Sequence, residues 1–590
     1  MLCCVGLRGG GGVAIAQETF PQKSVTVAVA DSPTLGPAET LPAPPTPPGG
    51  QADPPNNRDE DQSQPSDRGR LPSAAGDYWW RQQVRQSLGI GAATLPLTAD
   101  QAVTMALQQA PEVRQIRLAP QIQRTEISRQ QAAFDWNRFL ETNWANRSEP
   151  IGNILTTGDL DGRFEDDWLT GAAGLRRYSS SGAQWELAQR SGWQRNNNNF
   201  LIPNPQSTSR LELTMTQPLM AGRGKEFTYA RIVEAQWTTA AVSADSLARL
   251  QDYILDVAEA YWALYQSRAA FLIRQRAAGQ AALLVQSLHA RATLDTGTRQ
   301  ILRAETAAAR QQAELMAIAA LADRYEVALR RLLGQTDYQT ELVTQHDILE
   351  TPPSFQREAA LQVAMAGRPE IAKAVREVRM AGLRLGISRN QLLPKLDLIA
   401  GSYVAGLASN RQLFPSFGNQ FAEGRPSVNL GLVWEQPAGN RAARSQVRRR
   451  ELELQDALSK YEAALQQTQA DVQLGFNQLD VAFQTYRQRQ RALAAAAEER
   501  VYLEERWRLT PLADGPAILL LESLIDAQAR QADEEAAVAV AEAELSLAVV
   551  RLHRALGLLL RQSSESQPLE MLVEEELDEL ADPLLEEQRQ

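Results

Sequence analysis

Side chains that could carry catalysis are few and widely separated in this chain. Its three histidines, His289, His346 and His553, are scattered, so no local pattern supports a nucleophilic triad or a metal cluster. Residues 222–225 (GRGK) lack the spacing and the Ser or Thr of a phosphate-binding loop, and a flexible joint between two elements explains them better. The sequence therefore predicts no enzyme, no cofactor and no metal site.

Composition and charge exclude further classes of protein. The formal net charge is −11, which argues against a nucleic-acid partner because phosphate binding needs a basic face. The two cysteines, Cys3 and Cys4, are adjacent near the N-terminus, so the rest of the chain has no thiol, which suits an oxidising compartment. Scarce His, Met and Cys also argue against a dedicated exporter of soft metal ions.

A strand that leads directly into a very long helix is the main pattern of the sequence. Residues 211–217 alternate apolar and polar side chains, which is the period of a strand, whereas residues 225–293 have apolar side chains three and four apart, which is the period of a helix. Gln217 and Pro218 lie at the junction. Because proline has no N–H for a ladder hydrogen bond, we expect strand pairing to end there.

The same junction recurs in the second half of the chain. Residues 428–434 alternate like a strand, Gln436 and Pro437 follow, and residues 441–508 carry a second long apolar seam. APEV at 110–113 also matches RPEI at 368–371. Such matches, in the same order along the chain, indicate an internal duplication. We predict repeats at 97–334 and 355–560, a linker at 335–354, and strands within 139–218 and 395–437.

Helix lengths and strand parity constrain the architecture. A helix over 225–293 would be about 100 Å long at 1.5 Å per residue, and the two shorter helices of each repeat could stack end to end beside it. Each repeat must contribute an even number of crossing strands. We expect four per protomer, with residues 170–191 forming either an extra hairpin or, as we favour, a folded loop. Open sheet edges are not tolerated in lipid, so several protomers must complete the sheet.

The chain termini have a different composition. Residues 1–30 begin with a stretch ending in Ala14-Ile15-Ala16, which is either a degraded signal peptide or a segment without meaning. Residues 31–76 are rich in Pro, Gly, Asp and Gln, and we expect a disordered spacer. Residues 561–590 form an acidic tail that is expected to be solvated.

In the segment 97–560 the sequence resembles the TolC family of outer-membrane efflux proteins. The motifs that carry the resemblance are ALQQAPE, AMAGRPE, the two Gln-Pro strand exits, Gly297 within LDTGTRQILRAE, and LLLESLIDAQ. The resemblance implies a mainly α fold with a membrane β-barrel: a homotrimeric channel-tunnel with long antiparallel paired helices and four strands per protomer. It also implies an outer-membrane location with the helices in the periplasm.

The resemblance implies a function and partners as well. Members of the family export material passively in efflux or type I secretion systems, together with a periplasmic membrane-fusion adaptor and an inner-membrane pump. The alternative from another class is a periplasmic coiled-coil adaptor or interaction protein that forms no pore.

The resemblance further implies candidate site residues at the periplasmic tip. Glu522 and Asp526 match the acidic ring at the tunnel entrance, and their spacing of four places them on one helix face; the alternative is a pair of ordinary solvated charges. Arg299 and Arg303 would face them, and we hypothesise a salt-bridged latch. Such a latch needs a network, because isolated surface pairs contribute only about 0–1 kcal/mol.

Two tryptophans near strand ends, Trp144 and Trp434, fit an aromatic belt at a membrane interface. The alternative for both is ordinary packing.

Overall fold

Long antiparallel helices and one antiparallel sheet dominate the computed structural model, which describes residues 78–88, 93–152, 154–158, 162–291, 298–345, 356–509 and 515–562. Segments 1–30 and 31–76, Gly297, residues 346–354 of the linker and residues 563–590 of the tail lie outside the described residues. No helix in the described ranges is both long and apolar enough to cross a membrane.

The helices follow each other in chain order. They are α1 (Trp79–Val84), α2 (Ala99–Gln109), α3 (Pro111–Gln131), α4 (Ile154–Thr157), α5 (Lys225–Arg291), α6 (Thr298–Leu333), α7 (Arg357–Gly367), α8 (Pro369–Asn390), α9 (Leu413–Ala422), α10 (Arg441–Leu509), α11 (Gly515–Leu556) and α12 (Leu559–Gln562). The strands are β1 (Ala93–Leu97), β2 (Asn137–Pro150), β3 (Arg163–Tyr178), β4 (Gln184–Asn196), β5 (Gln206–Pro218), β6 (Thr340–Thr344), β7 (Lys395–Ser409) and β8 (Ser427–Glu435).

Local sequence signals define the helix starts. Thr98 forms a capping box for α2: its hydroxyl accepts from the Gln101 N–H at 3.2 Å, and the Gln101 side chain accepts from the Thr98 N–H at 3.1 Å. Pro111 and Pro369 occupy the first turns of α3 and α8, where a missing N–H costs nothing.

The long helices α5 and α10 have 67 and 69 residues, about 100 Å each at 1.5 Å per residue. Shorter helices lie along α5 one after the other. The Thr239 hydroxyl donates to a carbonyl of α3, the Tyr253 hydroxyl donates to the Leu332 carbonyl near the end of α6 at 2.5 Å, and His289 pairs with Glu305 near the start of α6. α3 and α6 are therefore arranged end to end beside α5. The long paired helices predicted for the fold are present.

The N-terminal helix α1 is anchored by buried aromatic and charged groups. Trp80 and Val84 are buried in the main core. The Arg81 guanidinium pairs with Glu542 of α11 at 2.6 Å and donates to the Tyr486 hydroxyl of α10 at 3.2 Å. These contacts join α1 to two of the long helices.

The segment predicted to be a linker, 335–354, contributes one strand, β6, to a small parallel sheet. Strand β6 pairs with β1, with Leu342 opposite Leu95. Glu341 of β6 is buried and paired at 2.7 Å with Arg268 of α5; each side chain is only 1% exposed. The carboxylate of Glu341 also accepts hydrogen bonds from the Ser87 hydroxyl and the Leu88 N–H. Residues 340–344 are thus part of the packed structure.

The main sheet has six antiparallel strands among the described residues, in the order β2-β3-β4-β5-β7-β8. The expectation of four strands with a folded loop at 170–191 is wrong, because β3 and β4 have 16 and 13 residues and pair along most of their length between β2 and β5. Glycines permit this close pairing: a Cβ at Gly174 would lie 2.3 Å from the Leu187 carbonyl oxygen, and one at Gly192 would lie 2.4 Å from that of Leu169. The number of strands remains even.

Candidate functional site

The two faces of the main sheet differ sharply in polarity. Because side chains alternate along a strand, the register places one set of apolar residues on a single face, which we call the apolar face. Leu140 and Leu430, on its edge strands, are 76% and 75% exposed. The apolar face carries Leu140, Trp144, Leu175, Trp185, Leu187, Leu211, Leu213, Met215, Leu398, Val404, Val428, Leu430, Leu432 and Trp434. An exposed apolar surface of this extent marks contact with a partner or a membrane.

The opposite face, which we call the charged face, carries a chain of ion pairs across four strands. Arg176 pairs with Glu141 at 3.2 Å and with Glu186 at 3.0 Å. Arg190 pairs with the same Glu186 at 2.9 Å and with Glu212 at 3.1 Å. These side chains are partly exposed, so water reaches them. The sheet is therefore apolar on one side and hydrated on the other.

Trp144 and Trp434 both lie on the apolar face and are mostly exposed. Trp434 is opposite Leu396, next to the end of β8 that leads to α10, whereas Trp144 is opposite Leu169 in the distal half of β2. The Trp144 indole N–H donates to Asp167 Oδ1 at 2.9 Å. The two tryptophans thus lie toward opposite ends of the sheet.

The first strand-to-helix junction is fixed by side-chain hydrogen bonds. The Gln217 amide donates to the Ser181 carbonyl at 3.1 Å and accepts from its hydroxyl at 3.0 Å. Pro218 does not end strand pairing, contrary to expectation, since the Leu219 N–H still donates to the Leu396 carbonyl at 2.7 Å. Alternate N–H groups of a strand point to opposite neighbours, and the missing N–H of Pro218 is on the side where β4 has already ended.

Backbone turns complete both junctions. Gly222 has φ +83°, a conformation that favours glycine, and its N–H donates to Asn390 Oδ1 at 2.7 Å. At the second junction Gln436 and Pro437 are exposed, and the Asn440 N–H donates to the Pro437 carbonyl at 3.2 Å. Each long helix therefore begins from a defined turn.

At the other end of the long helices, Arg303 of α6 and Glu522 of α11 form an ion pair of 3.8 Å between Nε and Oε1. Leu521, next to Glu522 in the sequence, belongs to a small apolar cluster in which Leu288 and Leu524 are also buried. This cluster joins four helices, because it also contains Ala304 of α6 and Trp507 of α10. Burial of these apolar side chains stabilises the packing of the four helices near the tip.

The remaining predicted tip residues are close by. Asp526 is exposed and lines a cavity of about 290 Å³ between α5, α6 and α11, together with Arg303. Arg299 is exposed one turn before Arg303. The structure thus brings Arg303 and Glu522 into contact and places Asp526 beside the same cavity.

Sequence reasoning missed two polar features near the tip. His289 Nε2 lies 2.9 Å from Glu305 Oε1, and Arg274 pairs with Asp533 at 2.5 Å and Glu314 at 3.3 Å. Nothing in the sequence spacing indicates these contacts, because each joins different helices. No group of three or more His, Cys, Asp or Glu within the described ranges is placed to hold a metal ion.

No protein-family model matches the chain, and no curated protein matches it. Solved structures do. A membrane protein from Pseudomonas aeruginosa is 16% identical with a TM-score of 0.58, over 78% of this chain and 93% of that one. The outer membrane protein VceC from Vibrio cholerae is 18% identical with a TM-score of 0.54, over 78% and 96%. The CmeC outer membrane channel from Campylobacter jejuni is 11% identical with a TM-score of 0.57, over 81% and 89%.

At these identities the likeness defines the fold. The chain has the fold of outer membrane channels of the TolC type. The mainly α fold with long paired helices and an antiparallel sheet, predicted from the sequence resemblance, is confirmed, apart from the number of strands.

Proposed function

We propose that this protein is an outer-membrane channel, a passive export duct across the periplasm and outer membrane of a Gram-negative-type cell, in a tripartite efflux or type I secretion system. The observation that carries the proposal is the two-faced sheet at one end of helices about 100 Å long. Its apolar face suits lipid, and its charged face suits a water-filled lumen.

The sheet of one protomer requires neighbours in a membrane. β2 and β8 are edge strands among the described residues, and unpaired backbone groups in hydrocarbon each cost several kcal/mol. Copies of the chain would pair β8 of one protomer with β2 of the next. A homotrimer, the state that the TolC resemblance implies, would contain three times six strands, or eighteen. Closed sheets of 16–18 strands leave an aqueous channel.

The helices would form the periplasmic part of the duct. Arg299, Arg303, Glu522 and Asp526 would then control its entrance, and the energy for transport would come from an inner-membrane pump joined through a periplasmic adaptor.

The rival is a periplasmic coiled-coil adaptor that forms no pore. It leaves the exposed apolar face without a role, which is why we favour the channel. Flotation with lipid vesicles and planar-bilayer recordings separate the two. A channel floats with vesicles and gives discrete conductance steps; a protein that stays in solution without detergent and gives no steps would establish the rival.

A further inference from the structure

The connection between β7 and β8 contains a helix, α9, that lies against the apolar face of the sheet with its polar side turned inward. Ser416 and Gln420 are completely buried. The Ser416 and Ser209 hydroxyl oxygens are 3.1 Å apart. The amides of Gln420 and Gln189 hydrogen-bond each other in both directions, at 3.1 and 3.2 Å. The sheet therefore satisfies the polar side chains of the helix.

Small residues allow α9 to approach the strands closely. A Cβ at Gly406 of β7 would lie 2.3 Å from both the Ser416 carbonyl oxygen and the Gln420 N. A Cβ at Gly424, just after the helix, would lie 2.7 Å from the Ala405 carbonyl oxygen of β7. The Asn419 side chain also donates to the Leu407 carbonyl at 2.9 Å. The contact surfaces of α9 and the sheet are therefore complementary in shape.

The opposite side of α9 presents aromatic rings outward. Phe414 is 90% exposed, and Phe417 and Phe421 are also exposed. The rings of Phe417 and Phe421 pack edge to face with centroids 5.6 Å apart. Helices on water-soluble proteins bury their apolar stripe and expose their polar one. The arrangement of α9 is the reverse.

The position of α9 explains this reversal. By register, the strand residues around its seat on the apolar face are polar or very small: Gln189, Ser191, Ser209 and Gly406. On either side of them the face is apolar, with Leu211 on β5 and Trp144 on β2. α9 covers these polar and small residues of the apolar face and presents its phenylalanine side chains outward above them.

We propose that α9 is a lipid-contacting helix, which inserts Phe414, Phe417 and Phe421 among the acyl chains of the outer membrane. The inference rests on the proposed function. Arg411, just before the helix, stacks over Trp193 at 3.9 Å and pairs with Asp167 at 3.2 Å. Such aromatic and charged groups are typical of the boundary between acyl chains and headgroups.

Lipid, rather than a second copy of the chain, fits this surface best. α9 contacts β4, β5 and β7, whereas a neighbouring copy would join at the edge strands β2 and β8. Its phenylalanines also continue the apolar face that the proposed function assigns to lipid.

An environment-sensitive fluorophore attached to single cysteines tests the inference. The cysteines are introduced into a Cys3→Ser/Cys4→Ser background. Each labelled protein is reconstituted into vesicles with or without lipids brominated on their acyl chains. The probe sites are Phe414→Cys and Phe421→Cys. Leu430→Cys on the apolar face and Asn143→Cys on the charged face are the matched controls. We expect blue-shifted emission and strong quenching by brominated lipid at Phe414, Phe421 and Leu430, and neither effect at Asn143.

Quenching at Leu430 with a water-like spectrum at both α9 sites would overturn the inference and leave the proposed function intact. Blue-shifted emission without lipid quenching at the α9 sites would also overturn it, because protein would then cover the helix. Absence of quenching at Leu430 as well would overturn the inference together with the proposed function.

Discussion

At the tip, the contact most directly testable by mutation is the ion pair between Arg303 and Glu522. At 3.8 Å, with Arg303 63% exposed, it stabilises the fold by about 0–1 kcal/mol at most. We predict that Arg299→Ala/Arg303→Ala raises single-channel conductance with little change in Tm, because the tip opens while the packed cluster remains. Arg310→Ala is the control, since Arg310 pairs with Glu314 of its own helix at 3.2 Å. Unchanged conductance in the double variant would rule out the latch.

The carboxylates of Glu522 and Asp526 have a separate expected effect on ion selectivity. Rings of acidic side chains favour cations, so Glu522→Gln/Asp526→Asn should lower the permeability ratio of K⁺ to Cl⁻, measured from reversal potentials in a salt gradient. Asp456→Asn/Glu462→Gln, which removes two exposed charges from the first third of α10, far from the tip, should leave the ratio unchanged. Equal ratios in all three proteins would mean that the tip acids are ordinary solvated charges.

Strand β6 contains one partner of a buried ion pair, Glu341 with Arg268 of α5. Burial raises the pKa of Glu341, but hydrogen bonds from Ser87, Leu88 and Arg268 outweigh it, so its pKa lies below the ordinary value. Glu341→Gln leaves the Arg268 charge without a counter-charge and should lower the free energy of unfolding by about 3–5 kcal/mol. Denaturant titration of the detergent-solubilised protein measures this, with Asp456→Asn expected to change it by less than about 0.5 kcal/mol.

The same pair gives a pH dependence with a defined sign. A carboxyl group whose pKa is lower in the folded state contributes stability above its unfolded pKa, and this is lost as the pH falls through the folded value. The difference between wild type and Glu341→Gln should therefore shrink on acidification below about pH 4. A difference that is constant from neutral to acidic pH would contradict this assignment.

The elements also show how far the sequence determines the structure. The long helices were predicted at 225–293 and 441–508 and are observed at Lys225–Arg291 and Arg441–Leu509, because an apolar period sustained over many turns is a strong signal. Residues 170–191 were expected to form a folded loop because the TolC resemblance implies four strands per protomer, although their pattern also allowed a hairpin; pairing with β2 and β5 places β3 and β4 within the sheet.

At the candidate site, sequence spacing placed Glu522 and Asp526 on one helix. It could not reveal which helix lies opposite or how far apart the charges are. The α9 helix was not predicted at all, since its polar side faces inward, against the usual pattern.

For the whole molecule, the six-stranded sheet predicts a wider pore than four strands would give. Removing residues 151–205 would delete β3 and β4 and join β2 to β5, which keeps the number of strands even. We expect a smaller single-channel conductance, because barrel diameter grows with strand number. Light scattering and Tm would verify assembly and folding of the variant. A conductance equal to that of the full chain would show that the hairpin does not line the pore.

The central claim is that one face of the sheet lines a water-filled pore and the other contacts lipid. Thr214 and Leu213 are neighbours on β5 whose side chains lie on the charged and apolar faces, respectively. The most direct measurement is single-channel current of Thr214→Cys and Leu213→Cys, in a Cys3→Ser/Cys4→Ser background, before and after a charged, membrane-impermeant thiol reagent. We predict a stepwise loss of current for Thr214→Cys and none for Leu213→Cys; equal effects at both positions, or an effect at Leu213 alone, would contradict the account.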